Sequence, residues 1–298
     1  MLDPQVAKYL EEVRELNAGP GWLLPIADQR SGYDASSSEL FGEPDAVDTV
    51  EDLSADGVPV RVYTPRGADT TASATVYFHG GGWVVGSFTS HDELCQTLAA
   101  RSGSPLIAVD YRLAPEHVFP AAIEDAWKAT VWASQRFEHL AVAGDSAGGQ
   151  LAASVALRAR DANLLLRLQV LIYPVTDNSF DTDSYAENTD PAALTEAQMR
   201  WFWEQYLPAA HRGITRDYAP LQASDLDGVA PALIVTAQYD PLRDEAELYA
   251  DRLKAAGVAV TLHRYEGMIH GFIRLPAVVD AASEGVNEVA MALSEALA

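Results

Sequence analysis

Cysteine is all but missing: Cys95 stands alone among 298 residues, so no internal disulfide and no thiolate metal cluster can be built. Lysine is nearly as scarce, occurring only at Lys8, Lys128 and Lys254, and Lys plus Arg total 20 against 43 Asp plus Glu, a net charge of −23. With no basic cluster anywhere, a phosphate backbone would be repelled, which excludes nucleic acid as a partner. Long apolar runs are also absent. Arg167 interrupts LLLRLQVLIY, and nothing approaches the ~18 residues that a membrane span requires. The opening MLDPQVAKYLEEVRELN is too charged for the apolar centre of a signal peptide, so a reducing cytoplasm is the expected compartment. No H-E-x-x-H can be written, and the glycines at 80–82 fit neither G-x-G-x-x-G nor the phosphate loop that ends in Lys. No metal and no cofactor are therefore expected.

What remains is a folded chain. Hydrophobic residues make up 48% and charged residues 21%, enough apolar surface to offset the entropy of ordering the backbone. The acidic excess, with so little Lys, suggests adaptation to high salt, in which case the melting temperature should rise from dilute buffer to molar KCl.

Residues 1–45 read as one helix followed by Gly-, Pro- and Ser-rich connections, with Val6, Tyr9, Leu10 and Val13 at i, i+3, i+4 and i+7. From 47 onward DTVEDLSA and VPVRVYTP alternate as an antiparallel pair separated by Asp56 and Gly57. Apolar strand-like runs follow at 75–78, 106–110, 139–144, 168–173, 232–237 and 258–265. Helical patterns near 91–101, 121–135, 147–160, 243–256 and 279–297 lie between or after them. This is the rhythm of a parallel sheet covered on both faces, an α/β class. Residues 176–225 contain no strand but carry MRWFWEQYL, with Met199, Phe202, Trp203 and Tyr206 at helical spacing, and read as an inserted cap. No linker divides the chain, so 1–298 is expected to be a single domain.

The strand HLAVAG runs into Gly144-Asp145-Ser146-Ala147-Gly148, a G-x-S-x-G sequence between strand and helix. A serine on that tight turn projects its hydroxyl above the sheet edge. After TVYF comes His79-Gly80-Gly81-Gly82-Trp83, where glycine lets backbone N–H groups approach a developing oxyanion; with the N–H of Ala147, two of these amides would stabilise it. A serine needs a base, and the base an orienting acid. Asp240 in QYDPLRDE and His270 in EGMIHGF each follow a strand, and the order Ser146, Asp240, His270 is that of α/β hydrolases. Asp240 also suits a helix cap ahead of Pro241, while its neighbour Asp244 falls within the helix. Trp83 is expected to wall an apolar acyl pocket; the stripe of Trp201, Phe202, Trp203 and Tyr206 reads first as core packing.

HGGGW, VDYRLAPEHVFPAAIEDA, GDSAGGQLA, LIYPVTD, YDPLRDE and IHGF together resemble the bacterial hormone-sensitive-lipase-like carboxylesterases over about residues 75–275. The resemblance implies an α/β-hydrolase fold with eight mostly parallel strands and a two-part cap from about 1–45 and 176–225. It assigns Ser146 as nucleophile, His270 as base and Asp240 as acid. Gly81, Gly82 and Ala147 become the oxyanion donors, with Gly80 as the alternative in that loop. It further implies cytoplasmic hydrolysis of short-to-medium acyl esters through an acyl-enzyme that water releases, and frequent homodimers. Gln238 departs from the pattern, where Gly or an acid would be more usual, and is expected to alter only the hydrogen bonding around Asp240.

Overall fold

The computed structural model describes residues 1–16, 21–211, 213 and 216–298. Residues 17–20, 212, 214 and 215, which belong to the two stretches expected to form the cap, lie outside the described residues. Eight strands form one sheet: β1 (Thr49–Ala55), β2 (Val58–Thr64), β3 (Ser73–Phe78), β4 (Leu106–Val109), β5 (His139–Asp145), β6 (Leu168–Ile172), β7 (Ala232–Tyr239) and β8 (Val260–Ile269). Their spatial order is β1-β2-β4-β3-β5-β6-β7-β8. β2 pairs antiparallel with both β1 and β4, and every later pair is parallel.

The helices are α1 (Pro4–Leu16), α2 (Ile26–Ala35), α3 (Ser37–Phe41), α4 (Asp92–Ser102), α5 (Ala121–Ser134), α6 (Ala147–Asp161), α7 (Asp183–Glu187), α8 (Glu196–Tyr206), α9 (Arg243–Ala255) and α10 (Asp280–Leu297). The core lies in two layers, because side chains alternate across each strand. Val76, Phe78 and Val142 pack with α5, α6 and α9 on one face, while Tyr77, Ala141 and Ala143 pack with α1, α4 and α10 on the other.

The structure departs from the sequence expectation in two places. The stretch 1–45 contains α2 and α3 in addition to α1. α2 has no fully buried residue, and it is fixed instead by Arg30, whose guanidinium donates to the carbonyls of Val84 and Ala114 and to Glu116. Helices held by such polar bonds leave little apolar periodicity to detect. β8 continues to Ile269 rather than stopping near 265. Glu266 and Gly267 break the alternation, yet pairing persists past a bulge opposite Ala237 and Tyr239, with Gly267 at φ 79°. That extension delivers His270 to the same sheet edge as the ends of β3, β5 and β7.

Candidate active site

Ser146 sits between β5 and α6 with φ 55° and ψ −119°, a conformation that costs a side-chain-bearing residue on the order of 1–3 kcal/mol. Its N–H donates to Ile172 O at 2.8 Å, and its carbonyl accepts from Gln150 N at 3.0 Å. The turn is tight enough to require glycine on both sides. A Cβ on Gly148 would stand 1.9 Å from Phe78 O, and one on Gly144 would stand 2.3 Å from Gly148 O.

His270 Nε2 lies 2.9 Å from Ser146 Oγ, and its Nδ1 lies 2.7 Å from Asp240 Oδ2. The carboxylate can only accept, so Nδ1 carries the proton and Nε2 offers its lone pair to the serine hydroxyl. Asp240 is fully buried and also accepts the Leu242 N–H at 2.9 Å, so it both faces the histidine and anchors the chain ahead of α9. Asp244 points elsewhere, accepting from Ser184 N at 2.8 Å and from its neighbour Arg243.

In the glycine loop, Gly80 N–H is already taken: it donates to Asp145 Oδ1 at 2.9 Å. Gly81 and Gly82 donate to no described residue, and both line the cavity that holds Ser146 and His270. Ala147 opens α6, where the first N–H groups of a helix have no partner within it. Asp145 also accepts from Tyr77 Oη at 2.8 Å and pairs with His91 Nε2 at 3.2 Å. Burial opposes its charge, but His91, the hydrogen bonds and Arg274 hold its carboxyl well below the usual carboxylate range. Burial likewise pushes His79 down to about 3, so this ring, stacked on Tyr111, is neutral and donates Nδ1–H to Gly80 O.

The cavity has a volume of about 720 Å³. Beside the serine it is walled by Tyr33 and Trp22 from the N-terminal stretch, by Val175 after β6, and by Met199 and Phe202 from the later insertion. Phe202 lies directly against the glycine loop, since a Cβ on Gly82 would meet its ring at 2.2 Å. The expectation for Trp83 is corrected here: its side chain is fully buried and does not line the cavity. It stacks on Tyr206 at 4.3 Å and donates Nε1–H to Gln150 Oε1 at 3.0 Å. A positive φ of 61° follows the three glycines and turns its ring into the core. The helical stripe divides in the same way, with Met199 and Phe202 on the cavity and Trp203 and Tyr206 packed behind them.

A family model described as the alpha/beta hydrolase fold matches residues 75–274. The chain belongs to the α/β-hydrolase family. The ethyl acetate hydrolase of Pseudomonas putida is 41% identical, with 99% of each chain covered. The carboxylesterase NlhH of Mycobacterium tuberculosis is 40% identical over 80% of this chain and 79% of its own. Among solved structures, the esterase of Pyrobaculum calidifontis superposes over 100% of both chains with a TM-score of 0.90 at 38% identity.

Three supporting groups of this α/β hydrolase lie within the motif segments, but the motifs do not show what they bind. Asp145 is one, because its partners Tyr77 and His91 lie far away in sequence. Gln238 is another: its Oε1 accepts the Gly267 N–H at 2.8 Å, so it braces the β8 bulge ahead of His270 and makes no bond to Asp240. Glu245 on α9 is buried and accepts from Thr176 N at 2.7 Å, Asp177 N at 3.2 Å and Tyr185 Oη at 3.2 Å, tying the insertion to the core. Burial pushes Glu245 up to about 8 against the pull of those donors. The run of acids in RDEAELYAD gave no sign that one of them faces inward.

Proposed function

We propose that this α/β hydrolase is a serine carboxylesterase in which Ser146 attacks the ester carbonyl, His270 moves the proton and Asp240 orients His270. The observation that carries this reading is the unbroken hydrogen-bonded line from Asp240 through His270 to Ser146, opening into one cavity with Gly81 and Gly82. As Oγ bonds to the carbonyl carbon, its proton passes to Nε2 and negative charge collects on the carbonyl oxygen. The N–H groups of Gly81, Gly82 and Ala147 receive that oxygen, whereas Gly80 is occupied by Asp145. His270 then protonates the departing alcohol, and a water activated by the same imidazole releases the acid from the acyl-enzyme.

Residues 1–45 and 176–225 serve as the two-part cap, and the residues they place on the cavity, including Trp22, Tyr33, Met199 and Phe202, set the acyl-chain range at short to medium. The name of the ethyl acetate hydrolase relative supports the short end of that range. No described helix is long and apolar enough to cross a membrane, and we place the reaction in the cytoplasm.

Initial rates on p-nitrophenyl esters from acetate to palmitate, for the intact protein and Ser146→Ala, test the reading. Turnover that peaks at short chains and vanishes in Ser146→Ala is the expected result. A peak at the longest chains would make the protein a lipase, and the absence of any Ser146-dependent turnover would end the esterase reading.

A further inference from the structure

Arg274 places a cation in the cavity with no carboxylate of a described residue in contact with it. It closes the short turn Phe272–Arg274 after His270 and lines the same space as Ser146. In a chain with 43 acidic side chains it forms no ion pair with a described residue. Its guanidinium lies 4.1 Å over the Tyr33 ring, its Nη2 donates to Ser90 O at 3.2 Å, and its buried Nε has no hydrogen-bond partner among the described residues. Asp145 acts on it through space, but both carboxylate oxygens of Asp145 already face Tyr77, Gly80 and His91. Of the other charged groups lining the cavity, Arg14 is paired with Asp190, and Asp28 projects from α2. The hydroxyls of Tyr9, Tyr33 and Tyr173 share this wall and hydrogen-bond to no described residue; that of Tyr173 is fully buried.

This wall is rich in donors, and a guanidinium only donates, whereas an ionised carboxylate only accepts and matches the guanidinium fork. Resting on the esterase reading, we propose that Arg274 holds the free carboxylate of a half-ester of an aliphatic dicarboxylic acid whose ester end is cleaved at Ser146. The reaction consumes one water: the ester C–O bond breaks, the alcohol leaves with a proton from His270, and the dicarboxylate is released. The far carboxylate stays on Arg274 unchanged throughout. A clasp that only joined Tyr33 to Ser90 would stabilise α2 without discriminating between substrates.

The test compares kcat/KM for monoethyl glutarate, adipate and pimelate with length-matched neutral ethyl esters, followed by proton release at 0.15 M salt. At that salt, repulsion by the chain's net charge is screened beyond ~8 Å. The intact protein should favour the charged ester at its best length by about tenfold or more. Arg274→Met should erase that preference, and Arg274→Lys should keep part of it. No preference in the intact protein, or one that survives Arg274→Met, overturns the proposal. Calorimetric titration of the intact protein with adipate and with adipamide gives a readout independent of turnover and of variant folding. Adipate binding tighter by about tenfold supports the subsite, and equal binding overturns it. If neither charged nor neutral esters are cleaved, the esterase reading fails, while the titration still decides the role of Arg274.

Discussion

The cavity has two kinds of wall. The rim, made by the loops after β3, β5, β7 and β8, is held by buried charge and backbone. Asp240 and Asp145 are both buried, and each binds several partners at hydrogen-bonding distance. The cover, which we propose is made from 1–45 and 176–225, is held by aromatic contacts such as Trp22 with Trp201 and by ion pairs open to solvent on at least one side, such as Arg14–Asp190, Arg30–Glu116 and Arg243–Glu187. Leaving a buried charge without its partner costs about 3–5 kcal/mol, whereas an exposed pair contributes about 0–1 kcal/mol and fades with salt. Reaction geometry is thus fixed on the unyielding wall, and substrate fit is assigned to the wall that salt and single substitutions can loosen.

Substitutions on each wall sharpen that contrast. On the rim, Asp240→Asn should lower kcat by about 10⁴-fold with the fold intact, because the amide can donate to His270 and favours the wrong tautomer. A loss below tenfold in steady-state assays would show that the rim tolerates misorientation. Where the walls meet, Gly82→Ala adds a Cβ against the Phe202 ring at a φ of 59°. It should cost about a hundredfold in kcat/KM, with partial recovery in the Gly82→Ala/Phe202→Ala double variant. Simple additivity in that double-mutant cycle would mean that rim and cover are uncoupled there.

Glu245 joins the cover to the core through a buried group, and truncating it should destabilise more than any exposed pair does. Glu245→Ala leaves the Thr176 and Asp177 amides unsatisfied, for a loss of about 2–4 kcal/mol in denaturant unfolding, while Glu245→Gln keeps an acceptor and costs less. Because folding raises this carboxyl from its ordinary 4.5 to about 8, the folded chain keeps a proton that the unfolded chain has lost between those values. Its contribution to stability therefore falls as pH rises through that window and levels off above it. Glu245→Gln should flatten the dependence, and an unchanged pH profile would remove Glu245 as its source. At the small end, Asp190→Asn breaks the pair with Arg14 and should cost under about 1 kcal/mol in dilute buffer and nothing measurable in 1 M KCl.

The same division explains what the sequence made legible. The strands of the rim, and the glycine turns after β3 and β5, follow from alternation, chain order and the backbone needs of Gly144 and Gly148, all local properties. The partners of Asp145, Arg274 and Gln238 are set by where distant segments meet, which no spacing encodes. Trp83 misled for a related reason: its position beside the glycine loop was visible, but the left-handed turn that buries its ring was not. α2 escaped because Arg30 holds it through carbonyls rather than through an apolar stripe.

The backbone at Ser146 has a consequence for variation at this site. A glycine there would occupy the same φ of 55° without strain, so the change that deletes the proposed nucleophile also relieves the turn. Ser146→Gly should therefore accumulate in cells at least as well as the parent. A selection that reads only folded yield would enrich this inactive form, and only a selection that requires turnover would keep the serine.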